Sequence, residues 1–335
     1  MPRTFIVYYS FKNTAGNHAG MAYLAKVLKD SGNQIHLLAN LPQEYKGGRY
    51  FSRIHAFFLS LYLVLILRKN DKVFFFEYLT KEVGHQEKIA GTLRFFGKQN
   101  QLFGLVHLSG AHLLELYHSK STIQKALGPL NKIMVLGSSL QSFLTSLPLQ
   151  QQVVSTFHYV DTTFYHPINN SVPQQNLQVL SVGSLKRNFA LLQQLVKECP
   201  QITFHICMGK ANLQHLFAGM PNVQLYPYLP EKDMLALMQQ CHTAISVMED
   251  TVGSNVITSA MAAGLVQVVS DVGSIRDYCT TETAFLCSQP ADFIQALQTL
   301  YQNPLLLNKM QLANRQAALQ FSKENFIQVF NAFIE

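Results

Sequence analysis

The chain is short of charge. Of its 335 residues only 13% are Asp, Glu, Lys or Arg, while 48% are apolar. Lys and Arg number 26 against 19 Asp and Glu, a formal net charge of +7, and the surplus is scattered rather than gathered into a run. A diffuse surplus of this kind suits anionic sugar nucleotides or lipid head groups better than duplex nucleic acid, so no nucleic-acid partner is expected. Cysteine is also scarce. Cys199, Cys207, Cys241, Cys279 and Cys287 form an odd, dispersed set without a CxxC pair, which argues against a structural zinc and for a reducing, cytoplasmic compartment. A long apolar run is missing too: Ile54 to Leu67 is fourteen uncharged, mostly apolar residues between Arg53 and Arg68, whereas a bilayer span needs about 20. The start, MPRTFIVYYSFKN, reads as a first strand and not as a basic, apolar, small-residue leader. No GxSxG, HExxH or Walker sequence occurs, and no DxD-like acidic pair stands on a strand end to carry Mg²⁺.

A length of 335 residues exceeds one ordinary core, so two domains are expected. Short apolar runs alternate with helical stretches along the whole chain, as in a doubly wound parallel sheet. TFIVYY opens the series. A loop with Gly16 and Gly20 follows, then the helix MAYLAKVLKDSG and the strand QIHLLA. KVFFFEY and LFGLVHLSG are further strands, the second ending in His107, Ser109 and Gly110; strand ends are where such sheets present ligand-binding groups. A helix near Ser121, strand KIMVLG, a helix capped by Ser138 or Ser139 and strand QVVSTF complete the first half. Composition then turns polar at NNSVPQQN, a linker signal. The second half repeats the pattern: QVLSVG into Lys186 and Arg187, ITFHICMG into Gly209 and Lys210, VQLYPYLP into the helix EKDMLALMQQC, and later AFLCS and three closing helices.

The apolar run Ile54 to Leu67 has two readings. The simpler is a buried helix feeding the strand KVFFFEY. The other is a helix lying on an anionic membrane surface, touched through Arg53, Arg68 and Lys69. The second would make the protein peripheral at the inner face of a membrane, with weak, salt-sensitive contact.

The organising stretch runs from Thr243 to Asp277. TAISVM reads as a buried strand, Gly253-Ser254-Asn255 as a cap, Val256 onward as a small-sided helix ending at Gly264, and LVQVVS as the next strand. The helix N-terminus therefore opens at the carboxyl ends of strands, where anions collect.

This stretch resembles the carboxyl-terminal donor site of retaining GT-B glycosyltransferases, especially glycosyltransferase family 4. Those enzymes carry a Glu, seven residues, a second Glu and a helix of the type EAMAxG; Ser259-Ala260-Met261-Ala262-Ala263-Gly264 takes that place here. The second Glu is thus Ser259, and no nearby residue restores it. The first falls at Thr251, with Glu249 and Asp250 just upstream. Val160-Asp161, Phe164 and Pro167 resemble the family's "GVD…F.P" crossing between domains. Gly183-Ser184-Leu185-Lys186-Arg187-Asn188 resembles its GRLxxxKN phosphate loop, with Ser184 at the Arg position and Arg187 at the Lys position.

The resemblance implies an α/β chain of GT-B fold: two Rossmann-like, doubly wound parallel-sheet domains facing a cleft, with a last helix returning to the first domain. The implied boundaries are 1–165 (acceptor side), 166–318 (donor) and 319–335 (closing helix). It implies that Gly16, Gly183, Ser184, Lys186, Arg187, Gly209, Lys210, Gly253, Ser254, Asn255, Val256 and Ser259 bind the nucleotide, and that Glu249, Asp250 and His107 serve the donor sugar. No metal and no cofactor beyond the nucleotide-diphosphate sugar are implied. A lone His is more often structural, and Lys186 and Arg187 have an ordinary solvated reading, although cations disfavour a helix start. The expected function is a metal-independent retaining transferase of the hexosyltransferase type, acting in polysaccharide biosynthesis on a glycan or lipid-linked acceptor. The rival is a GT-B-shaped sugar-nucleotide-binding or partner subunit without turnover, motivated by Ser259 and Ser184. A sugar-nucleotide epimerase of the same fold would need more carboxylates.

Overall fold

The computed structural model describes residues 2–9, 17–32, 34–41, 48–81, 83–168, 176–209 and 212–335. Gly16 and Lys210 lie outside the described residues. The chain divides into two compact units, residues 1–157 with 323–335, and residues 158–322.

Unit 1 contains β1 (Thr4–Tyr9), α1 (Met21–Ser31), β2 (Ile35–Asn40), α2 (Gly48–Ile66), β3 (Lys72–Phe75), α3 (Gln86–Phe95), β4 (Gln101–Val106), α4 (Gly110–Tyr117), α5 (Lys120–Leu127), β5 (Lys132–Leu136), α6 (Ser138–Thr145) and β6 (Gln152–Thr156). The strands pair in parallel in the order β2-β1-β3-β4-β5-β6. Runs such as FIVY and KVFF are apolar on both faces because helices cover both sides of a parallel sheet. Their residues Ile6, Val7, Val73, Phe74 and Phe75 are fully buried.

The closing helix α13 (Lys323–Ile334) belongs to unit 1. Its Phe330 packs on Phe74 with ring centroids 5.0 Å apart, and Phe333 on Phe103 at 5.5 Å. The carbonyl ends of α13 accept from Lys132 Nζ (3.2 Å, to Phe333) and from Lys72 Nζ (to Ile334). Two cations at a helix C-terminus satisfy orphan carbonyls and oppose the helix dipole.

Unit 2 contains β7 (Gln178–Val182), α7 (Phe189–Glu198), β8 (Thr203–Cys207), α8 (Gln214–Phe217), β9 (Val223–Tyr226), α9 (Glu231–Gln240), β10 (Thr243–Ser246), α10 (Asn255–Ala262), β11 (Val266–Ser270), β12 (Ala284–Cys287), α11 (Pro290–Gln302) and α12 (Pro304–Ala318). Its sheet is again parallel, in the order β12-β11-β10-β7-β8-β9. The chain runs outward from β7 on one side and from β10 on the other, so the loops after β7 and β10 meet at a topological switch point.

The segment before β7 is fastened inside this unit. The Val160 amide donates to Phe321 O (2.8 Å), and Asp161 Oδ1 accepts from the amides of Thr163 (3.1 Å) and Phe164 (3.3 Å). The Arg315 guanidinium on α12 ties the carbonyls of Tyr165 and Ala262 (both 2.9 Å) and Thr162 (3.1 Å). All five cysteines are buried free thiols.

Three elements depart from the sequence reading. The strand KVFFFEY stops at Phe75, because Glu77 and Leu79 take left-handed backbone at φ 54° and 63°. A capped helix, α4, follows β4 directly, with Ser109 Oγ accepting from the His112 amide. The run from Ile54 forms the rest of α2 to Ile66, with Leu67 just beyond, and that helix buries only one face.

Candidate functional site

The loops at the switch point of unit 2 are stitched together. Arg187 and Met248 form an antiparallel bridge; the Asn188 amide donates to Val247 O and the Glu249 amide to Lys186 O, both at 3.0 Å. Met248 N–H in turn donates to Ser270 Oγ (2.7 Å), and Asn188 caps α7 by accepting from the Leu191 amide (2.9 Å). These contacts fix the backbone of Arg187 between the ends of β7 and β10.

The Arg187 side chain is the electrostatic centre. Its guanidinium lies beside Gly183, where an added Cβ would stand 3.5 Å from Nη2. Nε and Nη1 are sealed from solvent and have no hydrogen-bond partner among the described residues. Burial pulls the group down to about 10 from an ordinary 12.5, which leaves it cationic at neutral pH. A buried cation with unmade hydrogen bonds is unfavourable unless an anion completes it.

The loop after β10 leads on into the start of α10. Ser254 caps the helix, its Oγ accepting from the Val256 amide at 3.0 Å, and Thr251 Oγ1 accepts from the Gly253 amide at 3.0 Å. The Ile257 and Thr258 amides turn back to Ser254 O (3.0 and 3.2 Å). The amides of Ser254 and Asn255 keep no partner among the described residues and carry the positive end of the helix dipole. Gly253 is required here: φ is +94° and a Cβ would lie 2.3 Å from the Tyr278 ring. Gly273 is equally constrained, since its Cβ would lie 2.0 Å from Thr251 O.

The other sequence-expected residues divide by what they touch. Gly183 takes part directly. Ser184 is exposed, and Gly209 ends the β8 loop at φ +60° with open space around it. Lys186 sits at φ +50° and lends its carbonyl to the bridge. Asn255 spends its side chain on His158, with Oδ1 and Nδ1 3.1 Å apart. Asp250 is turned into its own loop, Oδ1 accepting from the Thr251 amide at 2.8 Å, while Glu249 is exposed. Of the two acids, Glu249 is the one whose carboxylate is open to a ligand. Ser259 is 3% exposed, on the inner face of α10.

His107 belongs to unit 1, at the end of β4. Burial, aided by His112, pulls its imidazole down to about 4, so it is neutral at pH 7, with Nδ1 sealed and unpartnered among the described residues.

Several residues emerge only from the structure. Tyr165 donates to Glu231 Oε1 at 2.9 Å, and Ser259 lies close enough to that phenol to act on its titration. A carboxylate thus stands one phenol away from Ser259, where the sequence reading found none. The signal, a Tyr beside the matched Phe164, was present but had no visible partner. Tyr278 donates to Val252 O (3.5 Å) and accepts from the His158 amide (3.0 Å), bracing the α10 loop. In unit 1, burial raises the Glu77 carboxyl to about 8, at the carboxyl end of β3. An acid closing an apolar strand was its sequence signal.

Residues 176–303, most of unit 2 and including the Arg187 loop and α10, match the family model "Glycosyl transferases group 1". The two sheets match solved glycosyltransferases over almost the entire chain. The fold is GT-B. A sucrose-phosphate synthase from Thermosynechococcus elongatus superposes on this GT-B chain with a TM-score of 0.79 at 12% identity, covering 99% of this chain and 98% of that one. The lipopolysaccharide outer core galactosyltransferase WaaB gives 0.71 at 12% identity, covering 99% of both chains. The Anabaena HepE protein in complex with UDP and glucose gives 0.71 at 12% identity, covering 98% of this chain and 99% of that one. At such identities the likeness is one of fold. No curated protein matches the chain in sequence.

Proposed function

We propose that this GT-B protein is a retaining, metal-independent glycosyltransferase of the hexosyltransferase type. It moves a sugar from a nucleotide-diphosphate donor to a glycan or lipid-linked acceptor in polysaccharide biosynthesis, on the cytoplasmic side of a membrane. The observation that carries the reading is the sealed Arg187 guanidinium with two unmade hydrogen bonds at the unit 2 switch point. A diphosphate leaving group gains negative charge as the glycosidic bond breaks. Arg187 and the amides of Ser254 and Asn255 are preorganised donors for that charge, and their environment strengthens the attraction. Glu249 is suited to binding donor-sugar hydroxyls. His107, neutral at pH 7, is suited to a hydrogen bond and not to charge stabilisation.

Ser259 stands in this reading where family 4 enzymes hold a ribose-binding Glu. The nucleotide is then held mainly through diphosphate and base. The match of residues 176–303 and the UDP in the HepE structure make UDP-sugars the first donors to test. A hydrolysis and transfer assay with UDP-, GDP- and ADP-sugars supports the proposal if one donor is consumed with release of its nucleoside diphosphate. One observation favours the non-catalytic reading: Ser259, at the position of that Glu, is 3% exposed and lies beside Tyr165. In that case nucleotide binds without turnover.

A further inference from the structure

Helix α2 is built the wrong way round for a helix of a soluble core. The side it buries carries small or polar residues, Ser52, Ala56 and Ser60, with Leu59 and Leu63. The side it shows to solvent carries Phe51, Ile54, Phe58, Tyr62 and Leu65, at successive spacings of 3, 4, 4 and 3. These spacings draw one continuous stripe along the helix. The exposures are high, 62% for Phe58 and 83% for Leu65. The stripe does not stand alone. Phe95 (85% exposed) and Phe96 end the neighbouring α3, and a groove of about 460 Å³ between the two helices is lined by Arg53, Phe57, Ser60, Lys88 and Phe95. Exposed large apolar side chains elsewhere in the described residues are scattered over several elements, so this concentration marks an interaction face.

The charge around the stripe has one sign. From Gly48 to Asn70 the sequence holds four cations and no acid. Arg53, Arg68 and Lys69 are exposed, and Lys88 joins from α3. Among the described residues, two acids flanking these cations are engaged: Asp71 is paired with Arg3 at 2.5 Å, and Glu87 accepts from the Tyr117 hydroxyl and from the Lys81 amide (3.0 Å). Among the described residues no helix is long and apolar enough to cross a membrane. We infer that the α2–α3 face of unit 1 docks on the surface of an anionic lipid bilayer. The aromatic stripe enters the headgroup–acyl boundary, and Arg53 and Lys88, at the mouth of the groove, meet lipid phosphates. The chemistry favours a bilayer over a protein groove: aromatic rings and Arg or Lys stems are amphipathic, and an all-cationic rim complements phosphatidyl head groups. A lipid-linked acceptor would be presented at that same surface, although the docking stands whether or not the protein turns over a donor.

Co-sedimentation of the full chain with phosphatidylcholine vesicles, with and without phosphatidylglycerol, tests this. The protein should pellet with the anionic vesicles, weakly or not at all with the neutral ones, and less as salt rises. Arg53→Gln with Lys88→Gln should lower the partition coefficient roughly 30-fold, the sum of two surface cations. Phe58→Glu with Leu65→Glu should abolish binding while leaving the circular dichroism melt unchanged, because both side chains are already exposed. Equal binding to both vesicle types, or no binding to either at low salt, overturns the inference. So does a wild-type dimer in sedimentation equilibrium that becomes monomeric in the Phe58/Leu65 variant, which would assign the face to a second copy of the chain.

Discussion

Replacing Arg187 by Met should make the ligand-free protein more stable and at the same time remove its response to nucleotide. The two effects have one cause. Burial lowers the guanidinium to about 10 from 12.5; at about 1.4 kcal/mol per tenfold change in proton affinity, holding the cation there opposes folding by about 3 kcal/mol. The sign follows from the titration: below about pH 10 the group is charged in both folded and unfolded chains, so the whole penalty is present at neutral pH and fades only as pH climbs toward 12.5. Met keeps most of the apolar stem and removes the charge. Allowing for residual solvent at a half-buried site, the net gain should be about 1–3 kcal/mol, or several degrees in Tm for a unit of this size. Differential scanning calorimetry of the two ligand-free proteins reads this directly. A saturating nucleoside diphosphate should raise the wild-type Tm, by about 2.7 kcal/mol of stabilisation at a hundredfold excess over Kd, and leave the variant unmoved. A variant that melts lower without ligand would show that Arg187 has partners of its own. A variant that still responds fully to nucleotide would remove it from the site.

Glu77→Gln should alter the pH dependence of stability. The folded carboxyl keeps its proton up to about pH 8 while the unfolded one loses it near 4.5, so the wild type should lose stability as pH rises through that window, by up to about 1.4 kcal/mol per pH unit. Urea melts should show the variant flatter and more stable at pH 8, and equal at pH 4; parallel curves would count against the buried acid. Gly253→Ala forces a Cβ to 2.3 Å from Tyr278 at φ +94°, so unit 2 should lose about 2–4 kcal/mol of stability by thermal melting, combining backbone strain and overpacking; a loss below about 1 kcal/mol would mean the loop yields freely. Ser259→Glu places a second carboxylate in a buried space beside the Tyr165–Glu231 pair. It should lower Tm and leave nucleotide affinity no better, as calorimetry and melting together would show, because the buried acid would stand beside the Tyr165–Glu231 pair while the nearby cation, Arg315, is already committed to backbone carbonyls. Tighter binding with an unchanged melt would mean that the pocket has room for the acid after all.

Local patterns carried most of the fold. The strand in TAISVM, the Ser254 cap, the small-sided α10 and the left-handed Gly264 at its end depend on neighbours in sequence; they are found near where the pattern put them, with β10 stopping at Ser246 and α10 starting at Asn255. Asp161 likewise accepts from amides two and three residues on, whereas Val160 is held by Phe321 from far along the chain. What could not be read depended on distant partners. Arg187 is sealed because Met248 bridges to it from another strand's loop; from sequence alone it is as easily a solvated charge. Tyr165 and Glu231 meet across 66 positions. Helix α2 is apolar nearly all round, so its periodicity does not tell which face the core takes, and small Ser52, Ala56 and Ser60 won that side by close packing. α4 was hidden because HLSG reads as the tail of β4, whereas Ser109 begins a helix.

The central claim is that the unit 2 switch point holds the diphosphate of a sugar donor through Arg187. Isothermal titration calorimetry of UDP-glucose, GDP-mannose and ADP-glucose into the wild type and into Arg187→Met tests it most directly. The account predicts binding of at least one donor to the wild type, weakened at least roughly tenfold in the variant by the loss of a charge-assisted contact of about 1.5–3 kcal/mol. Equal affinities in the two proteins, or no binding of any donor to the wild type, would contradict it.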